Sequence, residues 1–324
     1  MIKIVYITKN GEILANKIKN ILDYCFYDNE VYHSKNLTIN GNEKGFIFIM
    51  ATGIVLRKYI DKIKNDKTKD PFVIVCDELG KNIMPILSNH LGGGNYFSNL
   101  IGRELKGNIV FTTATDINNK IGIDELSNIY FLDVPEKKDI LKINKKVLNE
   151  KVDLILPNDW KPIKNVLNTY NVEYHNKKFV VVDGDIVLNP KKIVVGIGVR
   201  RDIKTYKVYW AVKKALFLRD IPVWRIDAFA TVDVKKDEKG ILDAVKKFKK
   251  ELFIINRDKI NEVYKFRNDL IKSDFVFKTI GVYGVSEPVS VLGVEKLADK
   301  NIRDIELILK KFKKDGVSVS IAVG

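Results

Sequence analysis

The chain has 324 residues, 46% of them apolar, and a formal charge of +15 from 56 Lys and Arg against 41 Asp and Glu. That length exceeds what one core ordinarily supports, so two or three domains are expected, with enough apolar residues to bury them. Cys25 and Cys76 stand far apart and outside any metal-ligand or redox spacing, which excludes a disulfide framework and a cysteine-held metal cluster.

The first strand-like run, Ile2 to Thr8, is followed by a break at Gly11 and by Ile13, Leu14, Ile18, Ile21 and Leu22 at helical spacing. Short apolar runs at Phe46 to Met50, Phe72 to Cys76 and Ile109 to Thr112 alternate with helix-like segments at Val55 to Ile63 and Tyr96 to Leu105. Such runs between helices mark strands buried on both faces of a largely parallel sheet. Beyond Leu132-Asp133-Val134-Pro135 the chain is rich in Lys, Asn and Asp, with a helix at Lys138 to Asn149 and strands at Phe179 to Val182 and Ile186 to Leu188. A second alternation begins at Ile193 to Gly198. It continues as helix Tyr206 to Leu218, strand Trp224 to Thr231, helix Ile241 to Lys250, strand Phe275 to Ile280, helix Pro288 to Lys300 and strand Val317 to Val323. The expected fold is therefore α/β: an N-terminal, mostly parallel open sheet with flanking helices (1–130), a small middle α/β region (131–190) and a C-terminal α/β domain (191–324).

The segment Met1 to Ile7 lacks the zones of a signal peptide, and no apolar run reaches the length of a membrane span, so a cytoplasmic location and no membrane contact are expected. The excess of basic residues invites an anionic partner. Most of it is Lys dispersed on helix-like stretches such as Asp243 to Glu251, which reads as a solvated face. No interleaving of aromatic and basic residues suggests an RNA-binding sheet, so nucleic acid is not expected as a partner.

Several strand ends carry residues suited to holding an anion. Ser88-Asn89-His90-Leu91-Gly92-Gly93-Gly94-Asn95 precedes a helix, and its glycines serve either a ligand's close approach to backbone N–H groups or a sharp turn. It is neither a Walker loop nor a dinucleotide fingerprint. His90 is the one histidine in a Gly-rich loop, with a pKa suited to proton transfer. Asp77 and Glu78 follow a buried-type strand, and Thr112, Thr113, Thr115 and Asp116 gather at another strand end. Thr52 and Gly53 with Arg57, and Gly196-Ile197-Gly198 with Arg200 and Arg201, add small residues beside guanidinium groups able to pair with carboxylates. Ser286 reads as a helix N-cap ahead of Glu287 and Pro288.

In this order the segments resemble the cobalt-precorrin-5A hydrolase family, the CbiG proteins of anaerobic cobalamin biosynthesis. The resemblance is carried by Ala51-Thr52-Gly53-Ile54 with Arg57, Asp70-Pro71 ahead of Val75 to Gly80, Leu87 to Asn95, and Thr112 to Asp116. Gly196 to Arg201 and Val285 to Glu287 resemble the family's third region, which is similar to the CobE proteins. Asn89 stands where the family pattern leads one to expect Gly, and Val199 where Cys is common, which excludes a nucleophilic thiol there.

The resemblance implies water-driven opening of a δ-lactone on a cobalt corrinoid, with release of acetaldehyde. It needs no cofactor or metal of the protein's own, since the substrate carries the cobalt. It also implies His90 as the base, oriented by Asp77, Glu78 or Asp116, and the amides of Gly92 to Asn95 as oxyanion donors. Thr52, Gly53, Arg57, Ser88, Thr112, Thr113, Thr115, Arg200, Arg201, Ser286 and Glu287 are implied substrate contacts. Neighbouring pathway enzymes are expected as transient partners. Two other classes remain open at this stage: a non-catalytic corrinoid carrier, and a phosphate- or nucleotide-binding enzyme using the glycine turn.

Overall fold

The computed structural model describes Met1 to Gly324, the side chain of Lys164 excepted. The chain divides into two units, Met1–Pro190 and Lys191–Gly324.

In the first unit, the chain runs β1 (Ile2–Tyr6), α1 (Lys9–Tyr24), β2 (Asn29–His33), β3 (Gly45–Ile49), α2 (Thr52–Lys58), α3 (Ile60–Ile63), β4 (Phe72–Cys76), β5 (Asn82–Leu87), α4 (Gly94–Leu105) and β6 (Asn108–Ile109). These strands form one sheet in the order β2-β1-β3-β4-β5-β6. The period of two decides its faces. Ile2, Ile4, Ile47, Ile49, Phe72 and Ile74 face α1 and α4, where Leu14, Ala15, Ile18, Leu22, Phe97 and Ile101 cover them. Val5, Phe46, Phe48, Val73 and Val75 face Val55 and Ile63 of α2 and α3. Lys3 also lies on a buried strand, and it is neutralised there: its Nζ donates to Glu43 at 2.7 Å and to the Thr38 carbonyl at 2.6 Å.

Four strands are parallel, but β5 runs antiparallel to β4, pairing Cys76 with Ile83 and Val73 with Leu87. β6 follows the direction of β5. The chain therefore leaves β4 at one edge of the sheet and leaves β5 at the opposite edge, about 17 Å of strand away. Then come α5 (Ala114–Ile117), α6 (Ile123–Tyr130) and α7 (Lys137–Lys146). A second sheet in this unit, ordered β10-β9-β7-β8, is made of β7 (Val152–Pro157), β8 (Tyr170–His175), β9 (Val180–Val182) and β10 (Ile186–Leu188), with α8 (Lys164–Thr169) between β7 and β8.

The second unit holds β11 (Ile193–Val199), α9 (Thr205–Phe217), β12 (Ala228–Val232), α10 (Lys239–Phe248), β13 (Glu251–Ile255), α11 (Arg257–Phe266), α12 (Asp274–Ile280), α13 (Ser286–Ala298), β14 (Glu306–Lys314) and β15 (Val317–Val323). Its sheet is ordered β13-β12-β11-β15-β14, parallel across β13, β12 and β11 and antiparallel beyond.

Two local expectations are corrected. The aromatic run Phe275 to Ile280 is helix α12, not a strand. A strand would have put Lys278 on the same face as Val276 and Ile280. The helix instead pairs those two at i,i+4 against the core and leaves Phe275 79% exposed. The expected strand Ile109 to Thr112 ends at Ile109. Among the described residues, no helix is long and apolar enough to cross a membrane.

Candidate active site

The antiparallel turn of β5 divides the implied site residues between the two edges of the first sheet. At the C-terminal edge of β1, β3 and β4 lies a cavity of about 440 Å³, lined by Ile7, Thr8, Met50, Thr52, Asp77 and Glu78 among others. From β1 the chain passes to β2 on one side, and from β3 to β4 on the other, so the cavity occupies the switch point where open α/β sheets bind ligands.

Within it, Asp77 and Glu78 have different work. The Asp77 carboxylate accepts from the amides of Leu79, Lys81 and Asn82 and from the Asn82 side chain, so it shapes its own loop. Burial would raise its pKa, but these four donors bring it below the usual carboxylate value. Glu78 is exposed and accepts from the Thr8 hydroxyl at 2.6 Å. Its other oxygen has no hydrogen-bond partner among the described residues. Thr8 in turn caps α1 by accepting from the Gly11 amide. A Cβ added to Gly53 would meet the Arg57 guanidinium at 3.2 Å, so that exposed cation folds back over the glycine beside the Ala51, Thr52 and Ile54 wall of the cavity.

At the opposite edge sits His90, only 8% exposed. Its Nε2 lies 3.0 Å from Asp116 Oδ1 and its Nδ1 lies 3.1 Å from Asp124 Oδ2. Both ring nitrogens thus face carboxylates, which leaves no free lone pair for abstracting a proton. Burial alone would lower the imidazole pKa, yet hydrogen bonds to Asp116 and Asp124 overcome it and push the value up to about 10. The two aspartates move the other way: burial raises them, and His90 more than compensates, lowering both. Glu125 is half-buried beside them. Burial and the charges of Asp116 and Asp124, opposed by His90, push its carboxyl up to about 7.

The network extends inward, with Asn144 donating to Asp124 at 2.9 Å and Asn128 donating to the His90 carbonyl at 2.6 Å. Asn95 donates to Asp116 Oδ1 at 3.0 Å, and Asn89 to Thr113 at 3.4 Å.

His90 is therefore oriented by Asp116 and by Asp124, which the sequence did not single out; Asp77 and Glu78 belong to the other edge. With both nitrogens engaged by carboxylates, this geometry does not favour the expected base role of His90. Three of the four expected oxyanion donors are likewise engaged. The amides of Gly93, Gly94 and Asn95 donate to the carbonyls of His90, Ser88 and Asn89 within their own turn. A Cβ on Gly92 would sit 2.5 Å from Ser88 Oγ, and Gly93 has φ 90°, so these glycines permit a tight fold-back of the chain onto Ser88. Thr112 is exposed, Thr113 half-buried, and Thr115 buried with no hydrogen-bond partner for its hydroxyl.

In the second unit, Ser286 and Glu287 are buried. Ser286 is the first residue of α13 after the cap Val285, and its Oγ accepts from the Ser320 hydroxyl at 2.9 Å. The Glu287 carboxylate accepts from the amides of Ile271, at 2.7 Å, and Lys311, at 3.0 Å. Burial raises its pKa, against the pull of those two amides. Both residues join internal segments and are not presented to a ligand. Gly196 has the same character: a Cβ there would lie 1.9 Å from the Ser286 carbonyl oxygen, so the glycine lets α13 approach β11. Arg200 and Arg201 are exposed and make no ion pair among the described residues.

Comparison with known proteins places this architecture. The family model described as Cobalamin synthesis G N-terminal matches residues 38–116, and that described as Cobalamin synthesis G C-terminus matches residues 193–322. A protein of Methanocaldococcus jannaschii named "Probable cobalt-precorrin-5A hydrolase" is 62% identical over 99% of this chain and 98% of its own. The chain belongs to the cobalt-precorrin-5A hydrolase family. A Priestia megaterium protein named cobalt-precorrin-5A hydrolase is 26% identical, over 86% of this chain and 78% of its own. The family's fold recurs in the crystal structure of a cobalamin biosynthesis protein G homologue from Sulfolobus solfataricus, with a TM-score of 0.62 at 21% identity, covering 99% of this chain and 96% of that one. The hydrolase family thus spans both units, and its N-terminal model covers the cavity residues from Ile49 to Met84 together with His90 and Asp116, but not Ile7 and Thr8.

Proposed function

We propose that this protein is a hydrolase of cobalamin biosynthesis that opens the δ-lactone of cobalt-precorrin-5A with water and releases acetaldehyde, giving cobalt-precorrin-5B. The observation that carries this reading is the 62% identity running through 99% of the chain to a relative of that name. The reaction takes place at the cavity edge. Glu78, held by the Thr8 hydroxyl, has a carboxylate oxygen available to accept the proton of a water that attacks the lactone carbonyl. Thr52 and Arg57 stand at the same wall to hold oxygens of the substrate.

Hydrolysis gives a carboxylate and a free hydroxyl. Collapse of the corresponding alkoxide breaks the neighbouring C–C bond, expels acetaldehyde, and leaves the electron pair on the macrocycle, which takes up a proton. The cavity of about 440 Å³ suits one edge of a corrinoid and not the whole ring with its acid side chains. In the second unit, Arg200 and Arg201 are exposed cations able to pair with carboxylates.

The test is to incubate the purified protein with cobalt-precorrin-5A and measure acetaldehyde. Release above the spontaneous rate is expected. Tight binding of the corrinoid with no release would make the protein a carrier and defeat the proposal.

A further inference from the structure

The edge of the sheet that the proposed chemistry does not use carries an unusual surplus of acceptors. His90 from the turn before α4, Asp116 of α5 and Glu125 of α6 each bring one ligand atom within 4.8 Å of the other two. The Asp116 side chain is only 9% exposed; the Thr113 hydroxyl lies near enough to favour its charge, but no donor meets its Oδ2 in hydrogen-bond geometry. The side-chain oxygens of Asn89 and Asn95 are likewise buried without donors. Turning the Asn95 amide over would not help, because its oxygen would then face Asp116 Oδ1, to which its nitrogen now donates. With Asp124 counted, three carboxylates surround a single imidazole. Buried oxygens that find no N–H or O–H require another explanation, and a cation supplies one.

The histidine is prepared for that role. Asp124, itself held by Asn144, faces Nδ1, the carboxylate–histidine arrangement that fixes a metal-ligating ring and directs Nε2 to the ion. The separation of 3.0 Å between Nε2 and Asp116 Oδ1 also suits neighbouring ligands on an ion with bonds of about 2.1 Å.

We propose that His90, Asp116 and Glu125 bind one divalent cation of the zinc, cobalt or manganese type, with Asp124 orienting the imidazole. One nitrogen and two carboxylate oxygens select that class over the all-oxygen sites of calcium and magnesium. The ion takes the place of the proton between Nε2 and Asp116, which is released on binding. It ties together three segments that are separate in sequence: the glycine turn, α5 and α6. The inference departs from the expectation of a protein without a metal, and it does not depend on the chemistry proposed at the other edge.

The test uses the full-length chain, stripped with a chelator and then offered Zn²⁺, Co²⁺ or Mn²⁺ separately. Bound metal is measured by mass spectrometry after dialysis, affinity by calorimetry, and Tm by scanning. At least one ion is expected to bind at one per chain and to raise Tm. The Glu125 side chain makes no hydrogen bond among the described residues, and burial beside Asp116 and Asp124 disfavours its charge, so Glu125→Gln should leave the metal-free Tm unchanged or higher and weaken binding at least about ten-fold. Asp124→Asn should weaken it about 10- to 100-fold through loss of the orienting carboxylate. Absence of stoichiometric binding for all three ions, or equal binding by Glu125→Gln, overturns the site. Acetaldehyde release is not read in this experiment, so its outcome is separate from that of the proposed function.

Discussion

Replacing Glu287 by Ala separates the two roles that this residue could have. The resemblance implied a substrate contact, but its carboxylate accepts from the Ile271 and Lys311 amides and joins the loop before α12 and strand β14 to the head of α13. Removing the carboxylate leaves two amides without an acceptor. Such groups cost about 1–3 kcal/mol each when buried, and because these two are only partly shielded the lower half of the range applies, about 2–4 kcal/mol together. At roughly 3–4 °C per kcal/mol for a unit of this size, the unfolding transition of residues 191–324 should fall by about 6–16 °C. Scanning calorimetry reads that shift, and a corrinoid titration well below the transition reads binding. Binding should be unchanged. A variant with the parental Tm and clearly weakened corrinoid affinity would refute the reasoning and return Glu287 to the substrate.

Four further outcomes are expected. Glu78→Gln should slow acetaldehyde release by about 10²–10⁴-fold with no change in Tm, and parental activity would remove it as the base. Arg201→Ala should weaken corrinoid binding without changing Tm, and an unchanged affinity would exclude that contact. Gly196→Ala should severely destabilise the second unit, because its Cβ would overlap the Ser286 carbonyl at 1.9 Å; a variant with parental Tm would show that α13 can move away from β11. The buried Lys3–Glu43 pair should make the first unit acid-labile. Burial raises the Glu43 pKa, but Lys3 and nearby amides bring it below its ordinary value. A depressed carboxylate contributes stability above its unfolded pKa and loses it as pH falls through the lower folded value. Unfolding measured from pH 6 to pH 3 should therefore show a steeper loss in the parent than in Glu43→Gln, and equal slopes would count against the pair.

The strands that were legible in the sequence are those buried on both faces. β3, β4 and β11 are continuous apolar runs, β1 and β15 are broken only by Lys3, Ser318 and Ser320, and no exposed position interrupts the pattern that identifies them. The strands that escaped are mixed in character. β14 carries Lys310, Lys311, Lys313 and Lys314, as suits the edge of a sheet, and so it reads like a solvated segment. β5 contains Pro85, an argument against an interior strand, but β6 pairs only with Asn82 and Ile83, so the proline lies where that side of β5 is open.

Missing β5 had the larger consequence for the site. A strictly parallel reading puts the ends of all strands at one edge and lets His90 meet Asp77 and Glu78. One antiparallel strand, itself invisible to periodicity, reverses the chain and sends the glycine turn to the far edge, where Asp116 meets it from α5 and Asp124 from α6. The residue types that carry the chemistry were readable, because strand ends rich in Gly, Thr, Arg and carboxylates are uncommon. Their grouping was not, because it depends on strand direction, and strand direction is fixed by pairing between segments. The partition of the sequence motifs into a cavity with Glu78 and a charged centre at His90 thus follows from a single reversal, and the paired tests on Glu78 and Glu125 probe the two halves independently.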